Sequence, residues 1–124
     1  MGEQKLHNRN HGQVKEEILK ELMCGVKSLA KEECGRGVNI HGYFNTDHEA
    51  LGVIWEEVTE CNTENERIKF CFDAFMETVF NDIDELKHDR VSKLYDAAVM
   101  CACEAIQVAA MCKKWLEGKD MEDE

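Results

Sequence analysis

Apolar positions recur with helical spacing along most of the chain. Ile18, Leu19, Leu22, Met23, Val26 and Leu29 fall at i, i+3 and i+4, which puts them on one face and predicts a first helix over about Val14 to Glu33. Gly35 and Gly37, in the stretch CGRG, are expected to stop it. After the loop VNIHGYFN, the capping box Thr46-Asp47-His48-Glu49 opens a second helix carrying Leu51, Val53, Ile54, Trp55 and Val58. Cys61-Asn62 reads as a break. A second box, Thr63-Glu64-Asn65-Glu66, then starts a third helix with Ile68, Phe72, Phe75, Val79 and Ile83. A turn is expected near Lys87-His88-Asp89, followed by a fourth helix from about Arg90 to Glu117 that ends before Gly118. With no proline in the chain, four or five helices on short connections describe an all-α bundle.

At 124 residues this is the size of one domain. Residues 1–124 form a single helical unit, with 1–12 a polar lead-in and 118–124 an acidic tail expected to fray. The balance of 26 carboxylates against 15 Lys and Arg leaves a net charge of −11. That argues against nucleic acid held through its phosphates and against an anionic membrane surface. A phosphate-rich small molecule remains open, provided divalent cations stand between the two sets of negative charges. No apolar run reaches bilayer-spanning length, and the opening MGEQKLHNRNH has no apolar core of a signal peptide. The seven cysteines are odd in number and none stands in a C-x-x-C pair. Free thiols in the cytoplasm are therefore expected, rather than a zinc site or a disulfide framework.

Two segments draw attention for chemistry. The second helix ends in Glu56-Glu57-Val58-Thr59-Glu60, and the i, i+3 pair Glu57 and Glu60 sets two carboxylates side by side, a repulsive arrangement unless a cation bridges them. Taken alone, this is a solvated acidic face. In the fourth helix, AAVMCACEAIQVAAMC spans sixteen residues, of which only Glu104 and Gln107 are polar. Apolar on all sides, such a helix is expected to be central. Its carboxylate must then be paired, bind a metal or take up a proton. Either Glu104 forms a salt bridge to a lysine such as Lys27 or Lys69, or it and Gln107 complete an oxygen cage for Mg²⁺ or Mn²⁺ with Glu57 and Glu60.

Helical E-x-x-E followed by a second helical E-x-x-D is the signature of the MazG-like all-α nucleoside triphosphate pyrophosphohydrolases, which this chain resembles. Glu57-x-x-Glu60 matches the first half, and Glu104-Ala-Ile-Gln107 the second, with glutamine in place of aspartate. The stretches HGYFNTDHEALGVIWEE and CEAIQVAAM are similar to a phage-type branch of these proteins. The 43 residues between Glu60 and Glu104 exceed the family's spacing, so Asp73 and Glu77 stand as an alternative partner pair, disfavoured because their stripe lies opposite the apolar residues.

The resemblance implies hydrolysis of an NTP or dNTP to the monophosphate and pyrophosphate. Glu57, Glu60, Glu104 and Gln107 would be the metal ligands, and Glu56 would orient the attacking water or bind a second metal. Lys113 and Lys114 would contact phosphate, against the plainer reading of charges at a helix C-terminus. Asn45 and His48 would touch the base or ribose. The competing expectations are a relative without turnover that binds nucleotide or metal, and a structural helical oligomer of phage origin. A helix apolar all round also predicts a homodimer or homotetramer, with Val108, Trp115 and Leu116 at its interface.

Overall fold

The computed structural model describes residues 10–123 and contains three long helices, α1 (His11–His41), α2 (Asp47–Phe80) and α3 (Asp84–Glu122). The all-α class agrees with the sequence; the helix count and several boundaries do not. Asn10 starts α1 with a reciprocal capping box, its side chain accepting from the Gln13 N–H at 2.8 Å while Gln13 Oε1 accepts from the Asn10 N–H at 3.4 Å. The expected polar lead-in therefore ends before Asn10, and its residues 1–9 lie outside the described part.

Gly35 and Gly37 do not stop α1, which runs on to His41. A mid-helix glycine costs only about 1 kcal/mol relative to alanine, and packing on α3 outweighs it: a Cβ at Gly37 would lie 3.6 Å from Met111 Cε, ordinary contact. The real stop is Gly42, at φ 73°, a left-handed conformation that favours glycine. Its N–H closes the helix on the Val38 carbonyl at 2.7 Å.

The expected second and third helices are one. Thr63 is no N-cap; its hydroxyl donates back to the Thr59 carbonyl at 3.1 Å, and Thr59 does the same to Trp55 at 2.8 Å. Both hydroxyls are thereby satisfied inside a continuous helix. The expected capping box at Thr46 is half formed: the Thr46 oxygen accepts from the Glu49 N–H at 3.1 Å, but the Glu49 carboxylate accepts from the Asn45 N–H at 3.3 Å instead of from Thr46. The chain reverses not at Lys87-His88-Asp89, which lie within α3, but at Asn81–Ile83. Asp82 adopts φ 52° there, a conformation aspartate tolerates better than most residues, and the Ile83 N–H reaches back to the Thr78 carbonyl at 2.9 Å. The acidic tail is helical to Glu122, where Lys119 pairs with Asp47 at 3.1 Å and Glu122 at 3.5 Å.

Helices α2 and α3 form an antiparallel hairpin. Asp47 meets Trp115 and Lys119 at one end, and Phe70, Cys71 and Ala74 lie beside Arg90 and Lys93 towards the other. Helix α1 runs parallel to α3 and touches it through its C-terminal half, Glu33 against Gln107 and Gly37 against Met111. The apolar side chains that vanish from solvent at these seams are small, Ala30, Cys34, Ala50, Cys71, Ala97 and Ala110, and Thr78 and Lys114 are buried as well. Within the single chain α3 is not packed on every side: Val99 and Met100 remain exposed, as does Leu116, one of the residues expected at a subunit interface. It also contains an 18-residue window of mean hydropathy 1.4, so one helix is long and apolar enough to cross a membrane, where the sequence reading found none.

Candidate metal centre

The fused α2 and the antiparallel α3 bring the two acidic motifs together near the middle of the hairpin. Glu57, Glu60 and Glu104 each offer a carboxylate oxygen, and the three oxygens lie within 4.8 Å of one another. The i, i+3 spacing on α2 sets Glu57 and Glu60 a turn apart, and Glu104 faces them from α3. Glu57 and Glu104 are half-buried while Glu60 is exposed, so the cluster has a wet side. Glu57 Oε2 is buried with no hydrogen-bond partner. An unsatisfied buried carboxylate oxygen beside two further carboxylates is the environment that a divalent cation relieves.

Electrostatics describe the same strain. Burial first, then the charges of Glu60, Glu104 and Glu56, push the Glu57 carboxyl above its ordinary value of 4.5. Burial first, then Glu60 and Glu64, push Glu104 up as well. The salt bridge considered for Glu104 is not formed: its charged neighbours are carboxylates, and neither Lys27 nor Lys69 pairs with it. Both glutamates bind a proton more tightly folded than unfolded. Their contribution to stability is therefore greatest below pH 4.5 and is lost as pH rises through the raised values. In EDTA, the melting midpoint of the wild type should fall more steeply from pH 4.5 to neutrality than that of Glu104→Gln, and Mg²⁺ should remove the difference. Parallel curves in EDTA would show that the cluster carries no such strain.

One acidic neighbour of the cluster was not anticipated from the sequence. Glu64 continues the stripe at i, i+3, i+7 from Glu57; its Oε2 is buried without a hydrogen bond, and Arg67 Nη1 lies 3.6 Å away. The spacing Glu57-x-x-Glu60-x-x-x-Glu64 is visible in the sequence, but the expected break at Cys61-Asn62 cut it in two.

Apart from Glu56, the other candidates lie elsewhere. Gln107 turns to α1, donating from Nε2 to Glu33 Oε2 at 3.0 Å, while Glu33 also holds Arg36 at 2.8 Å. Glu56 is exposed beside the cluster. Lys113 and Lys114 stand nine and ten residues beyond Glu104, roughly 14 Å along the helix. Lys113 pairs with Glu117 at 3.4 Å, and Lys114 is buried with its ammonium 4.3 Å from the centre of the Phe44 ring. The Asn45 N–H donates to Glu49 Oε2 at 3.3 Å, and His48 is exposed, roughly 13 Å of helix before Glu57. Trp115, expected at a subunit interface, donates its indole N–H to Asp47 Oδ1 at 3.0 Å within the chain. Asp73 and Glu77 are exposed and join no acidic cluster with Glu57 and Glu60.

Fold and site together define an all-α protein with three long helices among the described residues and a tricarboxylate cluster across an antiparallel hairpin. Comparison with models of protein families, with curated proteins and with solved structures finds no match.

Proposed function

We propose that this chain is a divalent-metal-dependent nucleoside triphosphate pyrophosphohydrolase, acting in the cytoplasm on an NTP or dNTP to release the monophosphate and pyrophosphate. The observation that carries the reading is the convergence of Glu57, Glu60 and Glu104 around the unpartnered Glu57 Oε2. These three glutamates would hold Mg²⁺ or Mn²⁺. When bound, such a cation supplies positive charge against the triphosphate and acidifies a coordinated water. The exposed Glu56 is the chain's own candidate to orient the attacking water and take its proton. Lys113 and Lys114 have no part in this reading, because one is paired with Glu117 and the other is buried on Phe44. Seven free thiols suit a reducing compartment.

One observation favours the runner-up, a relative that binds metal or nucleotide without turnover. With Gln107 committed to Glu33 and Glu64 beside Arg67, three carboxylates converge in the cage and the acid of the E-x-x-D signature is missing. Pyrophosphate release from a panel of NTPs and dNTPs, with Mg²⁺, with Mn²⁺ and with EDTA, tests the proposal. The expected result is release that needs the metal. Metal-dependent stabilisation without release selects the runner-up, and neither effect leaves a structural protein.

A further inference from the structure

Beside the tricarboxylate cluster, α2 and α3 set two thiols against each other. Contacts at both ends and in the middle fix the register of these antiparallel helices: Asp47 meets Trp115 and Lys119, Glu57 and Glu60 meet Glu104, and Cys71 and Ala74 lie beside Arg90 and Lys93. One residue on from Glu60 is Cys61, and three residues back from Glu104 is Cys101. That register brings Cys61 opposite Cys101, and the two thiols stand within hydrogen-bonding reach of each other. Both are free and half-buried.

The helices approach closely enough here for a covalent link. Ala97, one turn before Cys101, is wholly buried, which marks a tight seam. Helices packed about 8–10 Å apart, with Cα atoms about 2.3 Å from each axis, leave directly facing Cα atoms roughly 3.5–5.5 Å apart. A disulfide spans Cα atoms roughly 4.4–6.8 Å apart, so a facing pair closes without parting or kinking either helix.

We propose that Cys61 and Cys101 are an oxidation site, closing to an intrachain disulfide when a low-molecular-weight disulfide, RSSR, reaches them. One thiol gives up its proton, and its sulfur attacks a sulfur of RSSR; a mixed disulfide forms and the first RSH leaves with that proton. The second thiol, already adjacent, attacks the protein sulfur of the mixed disulfide. The Cys61–Cys101 bond forms and the second RSH leaves with the other proton. Two protein thiols are oxidised and one small disulfide is reduced to two thiols; excess thiol drives the same steps backwards. The bond ties α2 to α3 beside Glu60 and one turn from Glu104. In a reducing compartment such a pair rests open and closes under oxidative load. Exposed Glu60 marks the wet side by which the co-reactant enters, and the net charge of −11 favours an uncharged one.

Peptide mapping of the folded full chain after incubation with 2-hydroxyethyl disulfide in EDTA tests the proposal independently of any metal. The expected product links the Cys61 and Cys101 peptides, while the exposed Cys24, Cys103 and Cys112 carry small adducts or none. Dithiothreitol should return every peptide to its free thiol. Cys103→Ser should keep the link and Cys101→Ser should lose it. The bond joins residues 40 positions apart, so the oxidised wild type should melt on the order of 10 °C above oxidised Cys101→Ser. Dithiothreitol should abolish that difference. Should Cys101→Ser fail to fold, mapping of the wild type and of Cys103→Ser decides the question alone. Recovery of Cys61 and Cys101 unlinked, a link from either to a third cysteine, or linkage no faster in the folded chain than in urea would overturn the proposal. So would an oxidised wild type whose melting midpoint does not rise.

Discussion

Glu104→Gln should abolish stabilisation by Mg²⁺ while leaving the metal-free protein at least as stable as wild type. Glu104 is half-buried among carboxylates and has no cationic partner, so neutralising it relieves repulsion and strands no positive charge. Selective binding to the folded state at about a hundredfold excess over Kd contributes about 2.7 kcal/mol. For a domain of this size that is roughly 10 °C in Tm, and the variant should show none of it. Melting curves of both proteins in EDTA and in Mg²⁺ read the result directly. Equal shifts in the two proteins would remove Glu104 from the site. A large loss of metal-free stability in the variant would mean that its charge is held by a cation after all.

Gln107→Asp, which restores the acid of the E-x-x-D signature, should weaken the protein and fail to tighten Mg²⁺. From sequence alone the same change promises a fourth ligand. In the fold, however, the Gln107 amide donates to Glu33 Oε2, and aspartate would set a carboxylate against a carboxylate with no proton to share. Losing a half-buried hydrogen bond to a charged group costs about 1–3 kcal/mol. Urea denaturation at neutral pH measures this loss, and Mg²⁺ titration measures the affinity. Tighter metal binding by Gln107→Asp would show that position 107 turns into the acidic cluster when it carries a charge.

What could be read from the chain was what local chemistry decides. Period and the absence of proline yield helices, and Thr46 marks a helix start because its oxygen and the Glu49 N–H are three residues apart. The pairs Glu57/Glu60 and Glu104/Gln107 are i, i+3 neighbours in any helix. The apolar surroundings of Glu104 in the chain anticipated a buried carboxylate, whereas in the fold it is half-buried on a helix with open faces.

Tertiary structure decided everything that depends on a second element. Whether the helix ends at Gly35 and Gly37 turns on α3 lying beside Gly37 and Cys34, because packing there offsets a propensity cost of about 1 kcal/mol per glycine. Whether Cys61-Asn62 is a break turns on the length of α3 opposite, which gives a continuous α2 a surface along its whole run. Joining those two helices placed Glu64 beside Glu60 and carried the hairpin turn to Asp82. The partner of Gln107 could not be read at all, since Glu33 is 74 positions away and its carboxylate arrives on a helix whose register α1–α3 packing sets. Periodicity identified the apolar stripe of α1 as a buried face, but only the fold shows that its residues from Ile18 to Leu29 stay exposed among the described residues.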